Sequence, residues 1–408
     1  LSGEIWYEVN KSLYDLRDKS IVAFSPREVK EIEASLRGKV IRVRKEGEKW
    51  KMILPKEVKA DRERIEELLQ RLAKGRVKRF YDAPGPMEIY GLAPPRLLLR
   101  IKKGPTLRFG KAEEEGIYAQ VEGRKEVVLL DRSFAELLPK GVNDWRDKYP
   151  LAFNPEKVRR ITFAYPSGEE FSCVRGPEGW KILPQGMKAD GDKISAFLWK
   201  LKGVAVKEFL PLQKAGVNKD HPFLDLLIEG EKEKWSLRLL KGKALYLYEE
   251  GKEEIYRIAS KDEELFLKEP DDFKYKRIIP IKEGEVRELR IAFPHKKEIF
   301  LLKEGGRWVK KRPKGEVENW KVTSLLWRLM ALEYLKEFRK GEVAGAFSPP
   351  QVELTLRPDE GKPEVVLTLG KKRGEGVLAR IKRGEKEGYY LVKEDLLKTI
   401  EDYFGNGK

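Results

Sequence analysis

The stretch KWKMILPKEVKADRERIEELLQRL, from Lys49 to Leu72, comes round again from Gly179 to Leu201 as GWKILPQGMKADGDKISAFLWKL. A chain that repeats its apolar pattern at long range has to fold as copies of one unit, because each copy presents the same surface for burial. The Ala60-Asp61 pair returns as Ala189-Asp190, 129 residues later, and a further 129 residues place Asn319 in the same slot. Apolar residues follow at offsets of 4, 7, 8 and 11: Ile65, Leu68, Leu69 and Leu72, then Ile194, Phe197, Leu198 and Leu201, then Thr323, Leu326, Trp327 and Met330. Those offsets fall on one face of an α-helix. Asp61, Asp190 and Asn319 therefore read as helix N-caps, each side chain accepting from an otherwise unpaired backbone N–H.

The register extends beyond the helix. Trp50, Trp180 and Trp308 each follow a Gly-containing turn, as the first residues of a returning strand would, and Pro55, Pro184 and Pro313 stop that strand because proline cannot donate to a ladder. Phe80, Phe209 and Phe338 close the three helices. The stretches RDKSIVAFSPREV from Arg17 and RDKYPLAFNPEKV from Arg146 mark the ends of units. The expected organisation is a truncated tail over residues 1–19, then repeat units at 20–148, 149–277 and 278–408, joined by short linkers near residues 19–26, 148–155 and 276–284. Within each unit the pattern predicts a strand hairpin, the capped helix, four or five further strands and a short closing helix. The expected class is α+β: three tandem copies of an antiparallel sheet covered by one main helix.

Charge is the next constraint. The 408 residues carry 85 Lys and Arg against 68 Asp and Glu, a net charge of +17, and 38% are charged where roughly 25% is usual. A bias toward Lys and Glu with little Asn or Gln is the composition of proteins from hot environments. The signs are mixed almost everywhere, which predicts an ion-paired, solvated surface. The excess of positive charge leaves contact with anionic lipid or another polyanion as an expectation. One cysteine rules out an internal disulfide and any multi-cysteine metal site. No apolar run reaches the ~18–20 residues that span a bilayer. The chain begins at Leu1, and the reading is of a processed fragment whose anchor or signal lies upstream.

The arrangement Trp50…Pro55…Ala60-Asp61…Leu68-Leu69…Leu72, echoed by Trp180…Pro184…Ala189-Asp190…Leu198…Leu201, resembles the family catalogued as domain of unknown function 4340. Gly91…Pro94-Pro95 and the Arg146-Asp147-Lys148…Phe153 linker extend the likeness over the whole chain. The resemblance implies an N-terminal membrane anchor, extracytoplasmic repeats in the cell envelope, and association with ABC-type export components related to gliding-motility transporters. It implies no reaction.

The residues that could carry chemistry have bland settings. His221 takes a slot held by Pro94 and Pro349 in the other units, and His295 sits at a predicted hairpin tip, so both read as turn positions. Cys173 shares a strand slot with Val43 and Leu301 and reads as a buried thiol. Glu113-Glu114-Glu115 and Asp271-Asp272 fall in polar loops, and the glycine patterns at Gly341 and Gly370 lack the ending of a phosphate-binding loop. No catalytic, cofactor or metal residues are expected. The non-repeating aromatics Trp199, Trp235, Trp320 and Tyr334 are candidate interface residues. The expected function is a non-enzymatic tandem-domain scaffold or binding protein. The alternatives are an intracellular nucleic-acid-binding protein using the basic surface, and a hydrolase with its site in an inter-domain cleft.

Overall fold

The computed structural model describes residues 16–296, 298–359 and 361–405. All but residues 16–19 of the expected truncated tail lie outside the described residues.

The first sheet has nine antiparallel strands: β1 (Glu31–Leu36), β2 (Lys39–Glu46), β3 (Lys49–Leu54), β4 (Val58–Lys59), β5 (Arg79–Tyr81), β6 (Leu97–Ile101), β7 (Thr106–Ala112), β8 (Ile117–Val121) and β9 (Val127–Leu130). Their spatial order is β4-β3-β2-β1-β6-β7-β8-β9-β5. The helix Arg62–Lys74 thus leaves one edge strand, β4, and delivers the chain to the other, β5. Alternation sets which face each strand buries: Ile32 and Ala34 in β1, Ile41 and Val43 in β2, and Leu97, Leu99 and Ile101 in β6 point inward. They meet Ile65, Leu68, Leu69 and Leu72 of the helix in one buried cluster that also takes in Leu107, Phe109, Ala119 and Val128 from the far half of the sheet.

This overturns the expected α+β class. The chain is mostly antiparallel β, 41% strand against 22% helical, in three large sheets. A helix about 10 Å across cannot cover a nine-stranded sheet about 40 Å wide. For one helix to touch inward residues from both halves, the sheet has to curl around it. The strand pattern was legible, but nothing in a period-2 alternation records how many strands join one sheet.

The second sheet has nine strands from Arg160 to Ile258 in the same order, and the third has eight, without a counterpart of β4. The chain divides into two compact units. One takes in residues up to Met187 with Gly191–Asp272, and the other comprises Lys188–Asp190 with Phe273–Lys408. Pro55, Pro184 and Pro313 each follow a strand that ends at the preceding residue, and all three peptides are cis.

Asp61 caps its helix as expected, accepting from the Arg64 N–H at 3.0 Å. In the third unit the expected cap is one residue out. The helix Asn319–Met330 is preceded by Glu318, while Asn319 bonds the Trp308 backbone, accepting its N–H at 2.6 Å. The buried face is Val322, Leu325, Leu326 and Leu329, which stand at offsets of 4, 7, 8 and 11 from Glu318. Trp327 is consequently 66% exposed. The distance from Asp190 to Glu318 is one residue short of the 129-residue period, which moves the third helix by one.

The corrected register has a thermodynamic consequence. Leu326→Ala should cost about 2–5 kcal/mol through the cavity it leaves, and Trp327→Ala less than about 0.5 kcal/mol. Urea unfolding of the two variants measures both, and a larger loss for Trp327 would restore the earlier register.

Candidate functional site

Between the first two sheets the linker is built into both neighbours. Arg146 bridges to Ala60, and the Asp147 N–H donates to the Lys59 carbonyl, just before the first helix. The Lys148 carbonyl accepts from the Val206 N–H, just after the second helix. On this strap the Arg146 guanidinium lies flat over Phe209, 3.7 Å from the ring centroid, and is bidentate to Glu254 at 3.1 and 3.0 Å. Asn143 Oδ1 accepts from the same guanidinium at 3.2 Å, and Lys56 Nζ approaches Glu254 at 3.5 Å. The same clamp stands one unit earlier, where Arg17 lies 3.6 Å over Phe80 and pairs with Asp82 at 2.7 Å. Phe80 and Phe209, read in the sequence as helix closers, are the seats of the linker arginines. In the second compact unit the strap recurs without its arginine: Lys274 bridges to Ala189, Arg277 bridges to Glu333, and Lys274 Nζ stands 5.3 Å from the Tyr334 ring. Phe338 lies instead under Arg373, at 4.9 Å.

Burial of Glu254 pushes its carboxyl up, but hydrogen bonds and charge from Arg146, with Lys56 adding, outweigh it and hold the group below the ordinary 4.5.

The first unit also holds an open cavity of about 680 Å³. Arg37, Lys39, Arg96, Arg132 and Lys140 line it together with a single acid, Glu136. Its floor is apolar, formed by Leu36, Leu97, Phe109, Ile117 and Leu138. Arg37 is held in a left-handed turn, φ 43°, at the tip of the β1–β2 hairpin. All five cations are exposed, and the ion pairs found among the described residues use none of them. Neighbouring arginines on the same sheet behave otherwise: Arg42 and Arg100 both pair with Glu33, at 2.6 and 3.0 Å.

The residues singled out for chemistry do not converge. His221 is exposed, its N–H donating to Asn218 in a turn, and His295 sits at a hairpin tip with φ 59°. Cys173 is fully buried, and burial pushes its thiol up to about 12. Glu113 is held below the ordinary carboxylate range by its bond to Lys111, Glu115 pairs with Arg79 at 3.2 Å, and Asp272 caps the Glu269 N–H. Among the described residues no group of His, Cys, Asp and Glu gathers to hold a metal. Of the candidate interface aromatics, Trp199 and Trp320 are 50% and 57% exposed. Trp235 packs edge-on to Phe153 at 5.8 Å, and Tyr334 stacks on Tyr390 at 5.4 Å.

Two features escaped the sequence reading. A Gly-Lys pair recurs at Gly110, Gly242 and Gly370. A Cβ at Gly110 would stand 2.0 Å from the Tyr90 carbonyl oxygen, and one at Gly370 2.4 Å from that of Ala346, so the close backbone approach in the first and third units requires glycine there. The second is the cavity's charge, which the second unit does not repeat. Arg96, whose N–H pairs with Phe109, corresponds by the same pairing to Phe223 and Gln351, and Lys39, opposite Leu36, corresponds to Glu169, opposite Tyr165.

A family model described as Domain of unknown function (DUF4340) matches residues 1–83, 50–223 and 236–344. No curated protein matches the chain. Among solved structures, the DNA polymerase III subunit beta from Pseudomonas aeruginosa aligns over 91% of this chain and 93% of its own at 9% identity. Its TM-score of 0.15 is too low for a shared fold.

Two measurements follow from these environments. Because the Glu254 value is lowered on folding, its stabilisation is complete above pH 4.5 and fades as pH falls through the lowered value. Glu254→Gln should therefore destabilise by roughly 2 kcal/mol at pH 7, with the difference from the parent shrinking below pH 4.5; a pH-independent difference would contradict the pairing. Cys173 should resist a disulfide-exchange reagent at pH 8 in the native protein and react at once in guanidinium, whereas a fast native reaction would mean that the slot opens.

Proposed function

Since this chain belongs to the DUF4340 family, whose model matches most of its length, we propose that it is a non-enzymatic, tandem-unit binding scaffold of the cell envelope, accessory to an ABC-type transport system. The observation that carries this reading is the linker strap. A segment hydrogen-bonded to the unit before it and the unit after it, and locked by Arg146 on Phe209 and Glu254, fixes the spacing of successive copies. Fixed spacing is what a scaffold needs to present several surfaces at once. Exposed aromatics on the helices, Trp199 and Trp320, supply the kind of anchors on which such surfaces dock partners.

The features that the units share are spent on construction. The tryptophans at 50 and 308 are in the core, and the Phe80 and Phe209 rings carry linker arginines. Of the groups singled out for chemistry among the described residues, Glu113 is paired, the two histidines stand at turns, and Cys173 is buried and held neutral. This supports binding over catalysis. The extracytoplasmic location, with a membrane anchor in the complete protein, belongs to the same proposal.

Co-purification of the full-length protein from gently solubilised native cells, with partners identified by mass spectrometry, tests it. The expected result is recovery of permease and ATPase subunits that persists after nuclease treatment. Recovery only of nucleic-acid-linked proteins that vanish on that treatment would overturn the reading in favour of the basic surface as a polyanion site.

A further inference from the structure

We propose that the cavity of the first unit is a binding site for an acidic amphiphile: a single molecule with a phosphate or carboxylate head and a hydrocarbon portion. Three observations combine in it. Its volume of about 680 Å³ lies in the range of sites that enclose one small molecule. Its floor is apolar, with Leu97, Phe109, Ile117 and Leu138 all buried in the fold beneath it. Its rim carries five cations and one carboxylate, and the described ion pairs leave all five available. Arg42 and Arg100 on the same sheet are neutralised by Glu33, whereas the five cations of the opening share it with one carboxylate, a local excess that a bound anion would balance.

The repeat sharpens the argument. A slot that serves construction should keep its residue type from copy to copy, as Val43, Cys173 and Leu301 do in being buried. Arg96 becomes Phe223 and Gln351 in slots fixed by the same backbone pairing, and Lys39 becomes Glu169. Arg96 is therefore dispensable to the sheet, being replaced in both other units, and the second unit lacks the Lys39 charge as well. Head and tail divide the site between them. Arginine forks hold the anionic oxygens in directed hydrogen bonds, lysines add charge, and the aliphatic floor takes the hydrocarbon. The proposal does not depend on the transporter reading, and the purified chain tests it without partners.

Isothermal titration uses monomeric dihexanoyl phosphatidic acid, dihexanoyl phosphatidylcholine and sodium phosphate as probes, and sedimentation uses phosphatidylglycerol–phosphatidylcholine vesicles. The expected result is one phosphatidic acid bound per chain, at least tenfold tighter than phosphatidylcholine and than inorganic phosphate. Arg96→Phe with Lys39→Glu, which install the second unit's side chains, should weaken it at least tenfold. Lys140→Glu, at an exposed position, provides the same test should the double variant fold poorly. Equal binding of the acidic and zwitterionic lipids, inorganic phosphate as tight as the lipid, or unchanged affinity in the folded variants would each overturn the proposal. Sedimentation with acidic vesicles without uptake of the monomeric lipid would also overturn it, since attraction would then lie in the general surface charge.

Discussion

A guanidinium lying on an aromatic ring is the contact on which the assembly of repeats turns. Arg146 has only 9% of its side chain exposed, and a charge so far from water is tolerable only with its partners in place. Phe209 gives it a face, Glu254 a counter-charge, and Asn143 an acceptor, and these come from different parts of two successive units. Removing any one leaves a desolvated charge behind, so the clamp couples the folding of one unit to the placement of the next. Arg17, Phe80 and Asp82 repeat the device closer to the surface, where solvent screens it. In the third unit a lysine stands in for the arginine, Lys274 lying 5.3 Å from the Tyr334 ring, and the backbone strap is kept.

The second constraint is topological. With β4 and β5 at opposite edges of the sheet, the helix between them is a tie across its width, and its four buried residues draw the two halves toward one core. The outer face is then short of cover, and each unit meets the need locally. In the first, Tyr81, Tyr90 and Tyr118 gather with ring centroids 5.1 to 5.8 Å apart; in the second, Tyr246 and Tyr248 pack with Leu240 and Ile255; in the third, Phe338 packs with Leu378 and Tyr389. The glycine at 110 and its counterparts let the covering loop come close enough to do so.

How much of this could be read beforehand depended on the range of the interaction. Helix position, the Asp61 cap and the burial of Cys173 follow from local spacing, and local spacing is written in the chain. The third helix starts one residue earlier than the 129-residue period places it, while Val322, Leu325, Leu326 and Leu329 keep the same offsets, because a helix follows its own apolar face and not the repeat length. The fold class failed for a different reason. Which strands share a sheet is decided by pairings such as β1 with β6 and β5 with β9, which leave no trace in alternation. The cavity was invisible for a third. Its cations come from a hairpin tip, the start of β6 and the segment after β9, and their joint excess emerges only when the fold brings them round one opening.

The strap also separates the unit of repetition from the unit of folding. Lys188–Asp190 sits within the second repeat by sequence, yet it groups with Phe273–Lys408, because Asp190 donates its N–H to Phe273 and Lys188 accepts from Tyr275. The linker thus pairs with the copy before it through Lys188–Asp190 and with the copy after it where the Lys276 carbonyl accepts from the Tyr334 N–H. A gene fragment cut at the sequence boundary separates the Val206 and Tyr334 N–H groups from the linker carbonyls of Lys148 and Lys276. A single copy isolated for study has to carry the linkers at both ends, and a recombination event that duplicated or deleted a copy would be tolerated only where a linker travelled with the copies it pairs.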